Sequence, residues 1–227
     1  VKIDHNDLDV SEMGRIKSFC DADVVLMYQP IGESAVQKLT GIQSFVPSKV
    51  DGVWKWPPSI VIETDDNLFN VSPLNGSFRN LGIRDMDGKD LKPGHHIGVI
   101  RDGEKQAIWA DGEKGFSIAK NRQTIDTWRS VLHMADAVQC STPEVQKAVE
   151  GEVVPQRIRT FPNLVRFKDY EQVKLAEDPK QIKILWQGGS AHYEDWYPLR
   201  EQVASITRKY PEVHWIIWGV LYHWVMQ

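Results

Sequence analysis

Two stretches hold residues whose types and spacing could do chemistry. The first is Glu63-Thr-Asp-Asp-Asn-Leu-Phe69, with Asp65 and Asp66 just after an apolar run. Carboxylates at the end of a parallel strand point into the crevice where α/β proteins hold ligands. There they act as a general base, as metal ligands, or as acceptors for sugar hydroxyls. Asp-Asp-Asn serves equally well as a helix N-cap and solvated turn, and spacing alone leaves both readings open. The second stretch is Gly188-Gly-Ser-Ala-His-Tyr-Glu-Asp195. Its glycines permit positive φ or close approach of a ligand to the backbone. A turn of this kind, opening a helix, offers N–H groups and the positive end of the helix dipole to a phosphate. His192 either bonds such a phosphate or caps the turn. His95-His96 has no third ligand nearby and reads as a solvated loop.

The elements that must position these residues follow from periodicity. Ile182, Ile184, Leu185 and Trp186 form a strand. After the glycine turn, Leu199, Val203, Ile206 and Tyr210 recur at helical spacing. Pro198 sits near the first helical turn, and Lys209 with Pro211 closes the helix. Val213-His-Trp-Ile-Ile-Trp218, ended by Gly219, is the next strand. Together these make one βαβ unit, which requires a parallel sheet.

The preceding chain also alternates. Val1 to Asp4 reads as a short strand, and Ser11 caps a helix bearing Met13, Ile16 and Phe19. Asp23 to Tyr28 is a buried strand, Gly32 to Leu39 a helix, and Ser59 to Thr64 a strand. Residues 46–58 read as a loop in which Trp54 and Trp56 are partly covered. Ser72 to Gly115 breaks the alternation with five turn signals, from Asn75-Gly76 to Asp111-Gly112, and with a hairpin around Asp102-Gly-Glu. An insertion of this length often borders a site, and this one is a candidate acceptor contact. Asn121 to Met134 is an amphipathic helix with Ile125, Trp128 and Leu132 inside. Asp136 to Cys140 is a strand. Thr142 is an N-cap with Pro143 and Glu144 in the first turn. Arg157 to Phe161 is a strand, and the polar run from Arg166 to Lys180 is a linker.

Composition bounds the rest. With 41% hydrophobic and 26% charged residues, the 227-residue chain is globular. A net charge of −4 gives no electrostatic case for nucleic acid. No apolar run approaches the length of a membrane span, and no signal peptide is visible, so a cytoplasmic location is expected. Cys20 and Cys140 lack metal-like spacing and read as reduced, buried thiols. The nine tryptophans are mainly core, although Trp196, beside the glycine turn, is also placed to wall a pocket.

The order Ala135-Asp-Ala-Val-Gln-Cys-Ser-Thr-Pro-Glu-Val, Ile158-Arg-Thr-Phe-Pro-Asn163, Ile184-Leu-Trp-Gln-Gly-Gly-Ser-Ala-His192 and Val213-His-Trp-Ile-Ile-Trp-Gly219 resembles the GT-B glycosyltransferases of the glycosyltransferase 4 type. Ser59 to Phe69 is similar to an Asp-Asp-x-Leu-Phe segment in members with a shortened first domain. The resemblance implies an α/β fold with two Rossmann-like domains facing across a cleft. The N-terminal acceptor-side domain would span 1–166 with the insertion at 72–115, then a linker at 167–180, then the first βαβ unit of a donor-binding domain at 181–227. It implies retaining transfer of a sugar from a nucleotide-sugar donor to an acceptor that it does not identify, without metal or cofactor. Gly188, Gly189, Ser190 and Asp195 would be donor-binding, and Asp65, Asp66 and His192 catalytic. The family's later Glu-x7-Glu segment is not found, and residues 181–227 are too few to cover both faces of a sheet. A fragment of a longer protein, or a partner chain covering 213–227, is therefore expected.

Two other classes compete. One is a non-catalytic module of the same fold that serves as a binding scaffold. The other is a different phosphate-binding α/β enzyme, since a Gly-Gly turn after a strand is common and G-x-G-x-x-G is missing.

Overall fold

The computed structural model describes residues 22–101, 104–153, 157–164 and 181–221. In chain order the elements are β1 (Val24–Tyr28), α1 (Glu33–Gln43), β2 (Ser48–Val50), β3 (Val53–Lys55), β4 (Ser59–Thr64), α2 (Phe78–Leu81), β5 (His96–Arg101), β6 (Glu104–Ala110), α3 (Ile118–Met134), β7 (Ala137–Cys140), α4 (Pro143–Glu152), β8 (Ile158–Thr160), β9 (Ile182–Gly188), α5 (Tyr193–Trp196), α6 (Arg200–Lys209) and β10 (Val213–Gly219). The chain divides into two compact units, Val1–Phe69 with Ala119–Asn163, and Asn70–Ile118 with Leu164–Gln227. The fold is mixed α/β.

In the first unit the strands form one parallel sheet in the order β1-β4-β7-β8. Each new strand is added on the same side of the last. Right-handed crossovers then put every connecting helix on one face. The helices confirm this by bonding to one another. Gln123 on α3 donates to Glu33 on α1 at 2.7 Å, and Arg129 on α3 donates to Glu152 on α4 at 2.7 Å. Val25, Ile60, Ile62, Val138, Cys140 and Ile158 alternate along the strands and are buried. They form the core with Leu39, Ile42, Ile125, Trp128 and Val149 of the helices. The opposite face keeps Val24 and Leu26 exposed. Thr142 caps α4, accepting from the Val145 amide at 3.2 Å, and Pro143 opens the helix.

In the second unit β5 and β6 form an antiparallel hairpin. Ile97, Val99, Phe78, Leu91, Phe116 and Ile118 make its small core. Asp111 organises the turn after β6, its carboxylate accepting from the amides of Ile118 at 3.0 Å and Gly94 at 3.1 Å. Those bonds, led by the one from Ile118, hold its pKa below the usual carboxylate value. His95 and His96 are exposed. β9 and β10 pair in parallel, Ile182 with Val213 through Gly188 with Gly219. One face of this pair packs on Tyr193, Trp196 and Tyr197 through Trp186, Trp215 and Ile217. On the other face Leu185, Ile216 and Trp218 are exposed. Among the described residues no helix is long and apolar enough to cross a membrane.

Two of three local expectations change. Trp54 and Trp56 are not covered: residues 48–55 form the hairpin β2–β3, and the two indoles are 57% and 65% exposed. Trp196 packs in the core of its unit. It is buried, stacked on Trp186 at 5.1 Å and edge-on to Trp215 at 6.0 Å. The helix expected directly after Gly189 is broken into a 3₁₀ turn (Ser190–His192), the single turn α5, a second 3₁₀ turn (Tyr197–Leu199) and then α6. Pro198 stands at the start of the second 3₁₀ turn, near the first turn of the main helix as expected, where its missing N–H is tolerated. Of the remaining expectations, the strand at Val1, the helix after Ser11, Cys20, the linker at 167–180 and Tyr222 to Gln227 lie outside the described residues.

Candidate functional site

Three parallel strands of the first unit, β1, β4 and β7, end side by side, and the residues just past them form a polar cluster. Asp65 follows β4. Its Oδ1 accepts from the Tyr28 hydroxyl at 2.7 Å and from Gln29 Nε2 at 2.8 Å. No described residue donates to its second oxygen. Tyr28 and Gln29 both come from the end of β1. Gln29 adopts φ 38, an uncommon conformation for a residue with a side chain. Its amide donates to the Glu63 carbonyl at 2.9 Å, and its Nε2 also reaches Thr64 Oγ1 at 3.2 Å. Thr64 is fully buried, and its hydroxyl donates to the Asp66 carbonyl at 3.1 Å. From β7, Ser141 Oγ donates to the Asp65 carbonyl at 3.2 Å. Backbone and side chain on both sides thus fix the Asp65 turn.

The electrostatics follow from this packing. The bond to Asp65 holds the Tyr28 proton and pushes its pKa up to about 12, helped by burial and by the charges of Asp65, Asp66 and Glu63. At neutral pH the phenol is a donor and Asp65 an acceptor. Asp66 is exposed, and its carboxylate makes no hydrogen bond among the described residues. The capping role falls to Asn67, whose Oδ1 accepts from the Phe69 amide at 3.2 Å. Neither the Asp65 nor the Asp66 carboxylate caps this turn. No group of three metal-ligating side chains occurs among the described residues.

The second unit holds the glycine turn. Its two glycines differ in what they do. A Cβ on Gly188 would lie 2.6 Å from the Trp186 ring and 3.1 Å from His192 Cδ2, so packing requires glycine there. Gly219, its register partner on β10, has φ 129, and a Cβ there would lie 2.0 Å from the Gly188 carbonyl oxygen. Gly189 has ordinary extended geometry, φ −88, and open space where a Cβ would stand. Nothing internal to the turn demands glycine at 189. His192 lies over Gly188, and its Nδ1 is 2.9 Å from Asp195 Oδ2. Asp195 thereby orients the imidazole and leaves Nε2 facing away from the pair. Ser190 begins the 3₁₀ turn that follows. The short α5 carries little dipole, so any anion here meets the turn itself and His192 rather than a long helix.

The structure thus gathers Gly188, Gly189, Ser190, His192 and Asp195 in one turn of the second unit, and Asp65 with Asp66 in one turn of the first. The sequence reading missed Tyr28, Gln29 and Ser141. Their signal was position, since each ends or follows a parallel strand neighbouring the one before Asp65. Comparison with family models, curated proteins and solved structures returns no match to this chain.

Proposed function

We propose that the chain serves glycosyl transfer of the GT-B type, with a nucleotide-sugar as donor. The turn at Gly188, Gly189 and Ser190 receives the donor diphosphate, and His192 Nε2 hydrogen-bonds it. Amides and imidazole aimed at the departing diphosphate stabilise charge that develops as the glycosidic bond to it breaks. In the first unit, Asp65 accepts from a hydroxyl of the acceptor, and Asp66 provides a second, solvated carboxylate.

The observation that carries this reading is Gly189. It follows a parallel strand, and with extended φ and open space where a Cβ would stand it has no conformational or packing need to be glycine. The residue order that resembles the glycosyltransferase 4 type supplies the choice of diphosphate among anions. Thermal unfolding with UDP, GDP, ADP and their sugar conjugates is the test. A binder at 100 times its Kd stabilises the folded protein by about 2.7 kcal/mol. At least one nucleotide is expected to raise the melting temperature. No shift from any of them would favour the scaffold reading.

A further inference from the structure

The hairpin β2–β3 of the first unit gathers exposed apolar side chains and two lysines in one short segment. Register pairs Lys49 with Trp54 and Ser48 with Lys55. Paired residues share a face and alternate residues return to it, so Lys49 and Trp54 lie on one side, and Lys55 and Val53 on the other. Trp56 continues the first side, its ring centroid 6.2 Å from that of Trp54. Val53 is 66% exposed, and Val46, just before β2, is 75% exposed. Apolar groups therefore face solvent on both sides of the hairpin. Neither the Lys49 nor the Lys55 ammonium joins an ion pair among the described residues. Asp51 and Gly52 form the turn with φ 49 and 82, the type I′ geometry that closes a two-residue hairpin.

We infer that this hairpin anchors the chain to an anionic membrane surface by entering the headgroup layer. The inference goes beyond glycosyl transfer and does not rest on it. Apolar groups on both sides decide the kind of occupant. A flat protein partner would cover one side and leave the other in water. Nucleic acid would stack on the indoles and leave Val46 and Val53 in water. A lipid layer surrounds whatever enters it and covers both sides. Tryptophan suits that depth, because an indole places its ring at the acyl boundary and its N–H among the headgroups. Lys49 and Lys55 complement anionic headgroups, and their long stems let the ammonium groups reach outward from apolar neighbours. The backbone suits the same medium. β2 and β3 bond to each other, and Pro47, Pro57 and Pro58 remove three N–H donors from the flanking segments. Asp51 at the turn sets the depth: its carboxylate stays among the headgroups, so the hairpin lies in the interface and does not cross it. Segment 46–58 carries two lysines against that one aspartate in a chain of net charge −4, so its positive charge is local and turns this hairpin toward anionic lipid.

The test is cosedimentation of the full chain with vesicles of phosphatidylcholine alone and of phosphatidylcholine mixed with phosphatidylserine. Two double variants accompany it, Trp54→Ala with Trp56→Ala and Lys49→Gln with Lys55→Gln, each first shown to melt at the wild-type temperature. The wild-type chain is expected to bind the phosphatidylserine vesicles, and the tryptophan variant to bind them about tenfold or more weakly. The lysine variant should also lose about tenfold or more, together with the preference for phosphatidylserine, since each lysine near an anionic surface contributes about fivefold. Absence of wild-type binding to either vesicle overturns the inference, and so does equal binding by the wild type and the tryptophan variant. Self-association on gel filtration that the tryptophan variant abolishes, without vesicle binding, would assign the hairpin to a second copy of the chain and overturn the inference likewise.

Discussion

The ends of the parallel strands are built differently in the two units. In the first unit the strands finish in side chains: Tyr28 and Gln29 grip Asp65, and Ser141 grips its carbonyl. In the second the strands finish in backbone, because Gly188 and Gly219 face each other in register with no room for a side chain. A four-stranded sheet under three helices can hold a carboxylate in a fixed direction. A two-stranded pair whose outer face keeps Leu185, Ile216 and Trp218 exposed positions little but its own main chain. Strand ends of one architecture thus present fixed side chains in one place and main chain in the other.

Substitutions sharpen that contrast, the most disruptive first. Trp128→Ala empties the helix-covered core of the first unit and should cost about 3–5 kcal/mol in urea unfolding. Trp218, 67% exposed, is its counterpart on the second unit's strands, and its alanine variant should cost less than about 1 kcal/mol. A larger loss would show that the outer face of β9–β10 is covered in solution. Gly188→Ala should cost about 1–3 kcal/mol by pressing on Trp186, while Gly189→Ala stays within about 0.5 kcal/mol. Equal costs would erase the division of labour between the two glycines. Thr142→Ala removes the α4 cap and should cost about 1 kcal/mol.

The smallest effect is a titration. The folded pKa of Tyr28 lies above its ordinary value of 10.0, so the protonated, bonded form is favoured by folding. That contribution is complete below pH 10, and it is lost as pH rises through about 12. The Cζ shift of Tyr28 should turn over near the upper value, and Asp65→Asn should bring the midpoint down. A midpoint unmoved by Asp65→Asn would mean the hydroxyl bond is not made in solution.

Much of this was legible from residue order. Alternation and capping placed β1, β4, β7, β8, β9 and β10, and the Thr142-Pro143 cap appears as its chemistry demands. The hairpin β2–β3 was missed because Asp51-Gly52 and three prolines read as loop, and alternation over three-residue strands is too short to register. The short turns between Gly189 and α6 were missed because they are too brief for periodicity, whereas Pro198 stands near the first turn where the spacing placed it. In the candidate site, Asp65 and the glycines carried a signal of type and position. Tyr28, Gln29 and Ser141 did not, because their role depends on which strands become neighbours. The different surroundings of Gly188 and Gly189 were likewise invisible, since they are set by Trp186 and His192 folding back over one glycine only.

The central claim is that a diphosphate reaches the main chain at Gly189. Calorimetric titration of wild type and Gly189→Ala with the nucleotide that gives the largest thermal shift tests it most directly. The account predicts that a single added methyl weakens binding about tenfold or more while the unliganded melting temperature stays the same. Unchanged affinity in Gly189→Ala would contradict it and move the phosphate site away from this turn.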